Sequence, residues 1–331
     1  MGRKLASIQR INNIEPIPDA DAIEVATVLG WKVVVKKNEF KIGDLCVFFE
    51  IDSFLPEKPE YEFLRPSSAM TLVTGENGFR LKTVKLRKQV SQGLALPVNE
   101  ITYGLDEGTD VTDVLGVLLY ERFIQDTTHI KSTFPHFIKK TDETRLQGLS
   151  REFSAYKELT WDITEKINGQ SLTIYFRNDD VGVCTRNMEL ERSDTYIWRC
   201  VDDSAIEDKL RRLKLNIAIQ GELHGAGIQG NPYNIPLDLR LFRVFDIDAQ
   251  RMIAQPEFLQ LSAELRLKTV PLLGSIRLPD TMQEAIKLAD GFSVLNNSVR
   301  REGIVAVNSD DPDNRLSFKI ISNAYLLKQK D

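Results

Sequence analysis

The sequence predicts an α+β protein of two domains, a β-rich one followed by one that mixes strands with helices. The length of 331 residues is more than one hydrophobic core usually serves. The composition, 42% hydrophobic and 27% charged, is that of an ordinary globular protein. Short apolar runs separated by turn residues fill the first third, whereas helical periodicity appears only later.

The first domain is predicted to span residues 1–115 and to form an OB-like β-barrel. Its strand-like runs are rich in β-branched and aromatic residues and cover residues 6–11, 23–28, 31–35 and 45–51. Gly30, Asn38 and the Gly43-Asp44 pair lie between them as turn residues. Regularly spaced short strands without intervening helices favour a small closed barrel, and the OB-like barrel fits a segment of this length.

A basic strand is predicted near the end of this barrel. Residues 79–88 alternate apolar and basic side chains, which turns Lys82 outward and, with a slip in phase, Lys85 and Arg87 as well. Such a strand can follow a phosphate backbone and predicts a nucleic-acid-binding surface. A cationic strand face that serves only solubility explains the same pattern equally well.

The domain boundary is predicted within residues 108–150, with the second domain over residues 130–331. Residues 139–147 are predicted to form a short capped helix that carries Arg145 toward the segment that follows. The alternative is that Arg145 is a surface residue paired with Asp142 or Glu143.

The second domain opens with two strand-like segments, residues 161–166 and 171–176, around Asn168-Gly169. This dipeptide between two such runs indicates a hairpin, with Lys166 beside its turn. A later strand, residues 181–187, ends in Arg186 and Asn187, which suit a ribose hydroxyl or the 3′-end of a substrate strand. A salt bridge at the strand end is the commoner role of such an arginine.

Carboxylates and a lysine recur at the ends of further strands. Glu222 ends a buried strand that is followed by a glycine-rich turn, and Glu302 precedes a glycine at the edge of another strand. A carboxylate at the exit of a buried strand is unusual unless it is paired or functional. Residues 239–247 form a strand whose alternation predicts Phe242 and Val244 on one face and Leu241 on the other.

The remaining features exclude several classes. The net charge of −5 gives no support for a broadly basic surface. The three cysteines form no C-x-x-C pair and no metal-ligand spacing with the histidines, which favours a reducing cytosol and no zinc. No signal peptide or membrane-spanning apolar run is present, so a cytoplasmic protein is expected, with a monomer as the default.

The ordered motifs resemble those of the covalent nucleotidyltransferase superfamily of ATP-dependent DNA ligases, RNA ligases and mRNA capping enzymes. The motifs, in chain order, are Glu165-Lys166-Ile167-Asn168-Gly169, Thr185-Arg186-Asn187, Gln220-Gly221-Glu222, Phe242-Arg243-Val244-Phe245-Asp246, Glu302-Gly303-Ile304-Val305 and Ser317-Phe318-Lys319. The most similar branch is the ATP-dependent RNA ligases whose OB-fold domain comes first. The resemblance implies an ATP-grasp-like, DNA-ligase-type domain of antiparallel sheets with flanking helices, and an enzyme that seals RNA ends, with nicks in duplexes as the expected substrate.

By this resemblance, Lys166 attacks the α-phosphorus of ATP and the resulting lysyl-AMP is passed to an RNA 5′-phosphate. Lys319 and Arg186 are expected to act with Lys166 in catalysis. Together with a divalent metal, these cations would stabilise the charge of the α-phosphate and lower the pKa of Lys166. The metal, Mg²⁺ or Mn²⁺, would be held by Glu302 and Glu222.

The resemblance also implies the ATP and RNA contacts. Phe242 would stack on the adenine and Glu165 would lie near its amino group. The ATP pocket would further include Arg145, Asn168, Gly169, Glu222 and Lys319. RNA, alone or in a duplex, would meet Lys82, Lys85, Arg87 and Asn187.

Two positions depart from the superfamily pattern. Asn168 stands where DNA ligases usually have aspartate, which fits RNA ligases better. Ser317 stands where a lysine is usual, so Lys319 works alone or Arg315 or Lys328 compensates. The alternatives are an ATP-dependent DNA ligase or a GTP-using capping-type transferase, both disfavoured because little chain follows the last motif. A non-enzymatic alternative is an OB-fold nucleic-acid-binding protein with an inactive transferase body.

Overall fold

The computed structural model describes residues 3–72, 74–120, 129–309 and 316–328. These residues fall into two compact units. The first lies within Met1–Gln125, Leu146–Phe153 and Leu326–Asp331, and the second within Asp126–Arg145 and Ser154–Tyr325. Strands dominate both units and the longest described helix has 10 residues, in agreement with the predicted α+β class.

The first unit is built from short strands in chain order. They are β1 Ala6–Pro16, β2 Ile23–Val28, β3 Trp31–Lys36, β4 Leu45–Phe49, β5 Ser53–Pro56, β6 Ala69–Thr71, β7 Asn77–Arg80, β8 Val84–Leu86, β9 Gln89–Ser91, β10 Leu94–Pro97 and β11 Leu118–Leu119. Two short helices, α1 Arg65–Ser68 and α2 Thr112–Leu115, and the 3-10 helix Pro59–Leu64 complete its described elements up to residue 120.

Strand β1 organises the sheets of the first unit. Its first half pairs with β4 and its second half with β2, with a bulge between Ile11 and Asn13. The five-stranded order is β10-β4-β1-β2-β3, beside the four-stranded order β11-β5-β7-β6. A bulge increases local twist, so one long strand can serve both halves of a curled sheet. The alternation of Trp31, Val33 and Val35 into the core accounts for β3.

The basic segment at residues 79–88 is not the single strand that was predicted. Strand β7 ends at Arg80, whose side chain is buried and lies over the ring of Tyr120 at 3.9 Å. Strands β8 and β9 then form a separate hairpin with Arg87 and Lys88 as its turn. Both turn residues have positive φ, 46° and 67°, as a two-residue hairpin requires. The chain-reversing turn therefore divides the basic run, although Lys85 and Arg87 are exposed.

The second unit contains the remaining strands and most of the helices. The strands are β12 Ile130–Thr133, β13 Thr160–Lys166, β14 Gln170–Arg177, β15 Asp180–Cys184, β16 Met188–Leu190, β17 Ile217–His224, β18 Asp238–Asp246, β19 Arg251–Met252, β20 Leu272–Arg277, β21 Gly303–Asn308 and β22 Ser317–Ile321. The helices from residue 153 onward are α3 Phe153–Tyr156, α4 Tyr196–Asp203, α5 Ile206–Leu213, α6 Gln255–Glu264, α7 Met282–Lys287 and α8 Asn323–Leu326.

Two antiparallel sheets form this unit. One has seven strands in the order β12-β16-β15-β14-β17-β18-β19, and the other has the order β20-β13-β21-β22. Apolar side chains of α4, α5 and α6 pack on the seven-stranded sheet in one core, which includes Trp198, Leu210, Phe258, Ile174 and Ile219. Helices α4 and α5 follow each other closely in the chain, separated by Ser204 and Ala205.

The predicted helix over residues 139–147 is absent from the structure. Residues 141–144 belong to no helix or strand, Arg145 makes a parallel bridge with Lys319, and the 3-10 helix Leu146–Leu149 begins only after it. The backbone N–H of Lys319 donates to the carbonyl of Thr144 at 2.9 Å. Pairing with the edge strand β22 therefore overrides the local helix-capping signals.

None of the helices in the described part of the chain combines the length and the apolar character needed to cross a bilayer.

Candidate active site

Lys166 is the last residue of β13, at the point where the chain passes from one sheet to the other. The predicted hairpin is wrong, because β13 pairs with β20 and β21 while β14 pairs with β15 and β17. The Asn168-Gly169 turn therefore joins two different sheets rather than two neighbouring strands. This places Lys166 where carboxylates from both sheets can reach it.

The first of these carboxylates is Glu302. Lys166 pairs with Gly303 across β13 and β21, so Glu302 lies one residue before the partner position. The Nζ of Lys166 donates to Oε1 of Glu302 at 2.8 Å, and both side chains are largely buried. The contact spans 136 residues of sequence and fixes the amine.

The second carboxylate, Glu222, comes from β17 of the other sheet. Its approach depends on Gly169, where an added Cβ would lie 2.8 Å from Cγ of Glu222 and would also meet the carbonyl of Leu223. Any other residue at this turn would push the carboxylate strand away. The glycine predicted for the ATP pocket thus has a structural reason at this position.

The charges at this point set the protonation of Lys166. Burial lowers the pKa of the amine, but the charges of Glu302 and Glu222 outweigh burial and raise it above the ordinary lysine value. Burial raises the pKa of Glu222 to about 8, against the opposing effect of Lys166. The predicted lowering of the Lys166 pKa is therefore not supplied by the chain itself, and the amine is protonated at neutral pH.

Lys319 and Arg186 share one carboxylate. Asp142 accepts from Nζ of Lys319 at 3.0 Å and from Nη2 of Arg186 at 3.1 Å. Burial lowers the pKa of Lys319 to about 8, while Asp142 raises it. The structure thus brings together two of the cations that the sequence predicted for phosphate binding, and it adds an acidic partner.

Ser317, which stands where the superfamily usually has a lysine, is hydrogen-bonded to Glu143, the residue after Asp142. Its Oγ donates to the carboxylate of Glu143, and the same carboxylate pairs with Nη1 of Arg243 at 3.0 Å. Arg145 is buried beside Lys319. Of the two suggested compensating residues, Arg315 lies outside the described residues, and Lys328 is exposed in the first unit.

A β-bulge in β18 determines which face of the strand carries Phe242. Gln220 pairs with Arg243 and Gly221 pairs with Leu241, so Phe242 is the extra residue. It packs beside Ile167 and Tyr233, whereas Leu241 and Val244 share the opposite core under the helices. The predicted strict alternation, which separated Leu241 from Val244, is therefore wrong, because the bulge shifts the phase of the strand by one residue.

Glu165 lies on the opposite face of β13 from Lys166. Its side chain is buried, and Oε2 accepts from the backbone N–H of Val294 at 2.8 Å. Its Oε1 has no hydrogen-bond partner among the described residues. A buried carboxylate oxygen without a partner is costly in a folded protein, and a donor such as an exocyclic amino group would satisfy it.

The residues at Lys166 fit a divalent cation held mainly by water and phosphate. Within the described ranges there is no cluster of three or more His, Cys, Asp or Glu residues that could hold a metal alone. Glu302 and Glu222 nevertheless both act electrostatically on Lys166. Two carboxylates without a complete protein cage are typical of Mg²⁺ sites, which retain several waters.

The four predicted RNA-binding residues divide between the two units. Lys82, Lys85 and Arg87 belong to the first unit, and Asn187 follows Arg186 in the second. The side chain of Asn187 accepts from Nζ of Lys140 at 3.1 Å, and its carbonyl accepts from the N–H of Phe134.

Sequence reasoning missed the roles of Asp142, Glu143 and Tyr233. Asp142 and Glu143 were considered only as partners of Arg145, whereas the structure pairs them with Lys319, Arg186 and Arg243. The sequence does show two adjacent acidic residues, Asp142 and Glu143, close to Arg145, and this pair could have indicated that Asp142 contacts a cation of the site. Tyr233, whose hydroxyl accepts from the N–H of Asn168, lies in a loop that carries no motif.

Two family models match the chain, an OB-fold domain over residues 5–98 and an RNA ligase over residues 159–321. A structure of Naegleria gruberi RNA ligase, an apo form of a point variant, superposes with a TM-score of 0.93 and 39% identity, covering 98% of both chains. This chain belongs to the RNA ligase family. The ligase has the predicted fold, an N-terminal OB-fold domain followed by a nucleotidyltransferase domain of antiparallel sheets.

Two further structures of the Naegleria gruberi enzyme are similar to the present chain over nearly its whole length. A variant with ATP and Mn has 39% identity and a TM-score of 0.91, covering 98% of this chain and 97% of that one. A variant with AMP and Mn has 39% identity and a TM-score of 0.94, covering 99% and 100%. A sequence comparison with curated proteins finds no significant match.

Proposed function

We propose that this protein is an ATP-dependent RNA ligase that joins a 5′-phosphate to a 3′-hydroxyl through a lysyl-AMP intermediate. The observation that carries the proposal is the placement of Lys166 at the junction of two sheets, with its Nζ 2.8 Å from Glu302. The structures of the Naegleria gruberi enzyme with ATP and Mn and with AMP and Mn support the nucleotide and the metal.

In the first step, Nζ of Lys166 forms a bond to the α-phosphorus of ATP while the bond to pyrophosphate breaks. Glu302 and Glu222 raise the pKa of Lys166, so the amine carries a proton in the free enzyme. It must lose this proton before its lone pair can attack. A Mg²⁺ or Mn²⁺ ion at these two carboxylates would cancel their charge and so favour the neutral amine.

The phosphates need cationic donors, and Lys319 and Arg186 supply them. Both side chains donate to Asp142 in the free protein, so the phosphate oxygens of ATP would replace this carboxylate as their hydrogen-bond acceptor. Arg145, buried beside Lys319, adds a further positive charge. Phosphoryl transfer of this kind depends mainly on positioning and on neutralising charge.

The adenine fits between Phe242 and Glu165. The bulge turns the Phe242 ring toward the cluster that includes Ile167, next to the nucleophile. Oε1 of Glu165, which has no hydrogen-bond partner in the described part of the chain, can accept from the adenine amino group. Asn168 and Gly169, which form the turn, then line the nucleotide beside Lys166.

The RNA ends complete the reaction. The AMP moves from Lys166 to the 5′-phosphate, and the 3′-hydroxyl then attacks that phosphate and releases AMP. We assign RNA contacts to Lys82, Lys85 and Arg87 of the OB-fold domain and to Asn187. A nicked duplex as the substrate, and a cytoplasmic monomer as the active form, stay predictions from the sequence.

Nicked duplexes with RNA or DNA on each side of the nick test the proposed function. The expected result is sealing in the presence of ATP and Mg²⁺ or Mn²⁺ when the 3′-hydroxyl strand is RNA. Equal sealing of an all-DNA nick would point to a DNA ligase, and sealing with GTP but not ATP would contradict the nucleotide assignment. Binding of RNA without any sealing would leave only the nucleic-acid-binding alternative.

A further inference from the structure

We infer that Tyr233 is a positioning residue that holds the turn after Lys166 in the conformation required for lysyl-AMP formation. Tyr233 lies in the loop between β17 and β18, outside every motif of the superfamily. The inference rests on the proposed function, because it concerns the rate of the first step.

The hydroxyl of Tyr233 accepts a hydrogen bond from the backbone N–H of Asn168 at 2.7 Å. Asn168 is two residues beyond Lys166, in the turn between the sheets, where the pairing of β13 with β21 has ended. Tyr233 is only 2% exposed, so water has little access to its side of the contact. Loss of the hydroxyl would leave this N–H without its acceptor.

A second side chain of the same loop holds the other half of the turn. Nε2 of Gln229 donates to the carbonyl of Gly169. Both backbone groups, one donor and one acceptor, are thus satisfied by the loop instead of by strand pairing. The loop therefore acts as a clamp on the turn.

Tyr233 is itself fixed on several sides. Its carbonyl accepts from Nδ2 of Asn296 at 2.9 Å, and its ring packs with Ile167 and Val270. The ring of His224 meets it edge-on, with centroids 6.1 Å apart. Because the ring is buried and packed on these sides, its hydroxyl gives the turn a well-defined anchor.

The consequence for the reaction is specific to one step. The amine of Lys166 attacks only in the step that forms lysyl-AMP, whereas sealing of an RNA that already carries AMP at its 5′-end does not use this attack. A loosened turn should therefore slow formation of lysyl-AMP far more than it slows the final sealing. A general loss of structure would slow both.

Tyr233→Phe tests this inference, with Tyr175→Phe as a matched control. Tyr175 is also buried, and its hydroxyl donates to Glu189 at 2.8 Å, so each variant loses one buried hydrogen bond. Two rates are measured for each protein: labelling of the enzyme by α-labelled ATP in a single turnover, and sealing of a chemically pre-adenylylated nick. Thermal unfolding of both variants is followed in parallel.

For Tyr233→Phe we expect labelling to fall about 10- to 100-fold, with sealing of the pre-adenylylated nick within about twofold of wild type. Tyr175→Phe should change neither rate by more than about twofold. An equal fall of both rates in Tyr233→Phe, or labelling at the wild-type rate, would overturn the inference. If Tyr233→Phe does not fold, Gln229→Ala removes the second contact of the clamp and should show the same selective loss.

The two proposals fail in different ways. No lysine-dependent label on the wild-type protein would contradict the proposed function itself. Normal wild-type labelling together with normal Tyr233→Phe labelling would contradict only the positioning role.

Discussion

The carboxylate of Asp142 accepts a hydrogen bond from the ammonium group of Lys319 at 3.0 Å. Its other oxygen accepts from Arg186 at 3.1 Å, so one aspartate holds two of the cations proposed for the α-phosphate. This contact keeps Lys319 charged, since burial lowers its pKa to about 8 and Asp142 opposes the effect of burial.

Asp142→Asn should shift the alkaline limb of the labelling reaction to lower pH. In the wild type, kcat/KM for ATP should decline with a midpoint near pH 8 as Lys319 loses its proton. Removing the negative charge of Asp142 lowers the pKa of Lys319, so the decline begins earlier. The measurement is the pH profile of enzyme labelling by α-labelled ATP. Asp280→Asn, at an exposed carboxylate that pairs with Lys157, should leave the midpoint in place. An unchanged midpoint in Asp142→Asn would contradict the account.

Glu143→Ala should strongly destabilise the protein. Arg243 is 8% exposed, and its guanidinium pairs with Glu143 at 3.0 Å, so the variant would leave a buried charge without its carboxylate. The expected loss in the free energy of unfolding is about 3–5 kcal/mol. Denaturant unfolding measures it, with Asp280→Ala as a control that should cost no more than about 1 kcal/mol. Equal losses in the two variants would mean that the Glu143 pair is not the buried interaction described.

Glu222→Gln should stabilise the unliganded protein at pH 8 while removing metal-dependent labelling. The pKa of Glu222 is raised from 4.5 to about 8, so the folded state holds this proton more tightly than the unfolded state and loses stability as pH rises between these values. The amide avoids this cost. In EDTA at pH 8 the expected gain is on the order of 1–3 kcal/mol, and it should vanish near pH 4. Thermal unfolding at both pH values measures it, and a gain that does not depend on pH would argue against the raised pKa.

Phe242→Ala should weaken ATP binding through loss of the stacking surface. A base stacked on an aromatic side chain contributes about 1–3 kcal/mol, so KM for ATP in the labelling reaction should rise about tenfold or more. Phe242→Tyr keeps the ring and should stay close to wild type. A KM that is equal in the alanine and tyrosine variants would remove Phe242 from the adenine site.

Three of the predicted site residues could be located from their local sequence. Lys166 ends β13, Glu302 directly precedes β21, and Glu222 lies in the last three residues of β17. Their order along the chain indicated the family, and the structure brings all three together. The two-domain α+β organisation followed from the same periodicities.

Structural features that depend on pairing with residues far away in the chain could not be predicted from the sequence. The Asn168-Gly169 turn has the local signature of a hairpin, but β13 finds its partners in β20 and β21, more than 100 residues away. Residues 139–147 have the sequence of a short capped helix, yet residues 141–144 form none, and the carbonyl of Thr144 accepts from the backbone N–H of Lys319. The bulge at Phe242 depends on the register against β17. Nothing in the local sequence indicates such long-range pairings.

Labelling of the denatured protein by α-labelled ATP tests the central claim most directly. With Mg²⁺ or Mn²⁺, the wild type and the control Lys157→Ala, which alters a half-buried lysine paired with Asp280, should carry label that survives denaturation. Lys166→Ala should carry none, because Lys166 is the amine that forms the phosphoramidate bond with AMP. Label that persists in Lys166→Ala, or its absence from the wild type, would contradict the assignment of Lys166.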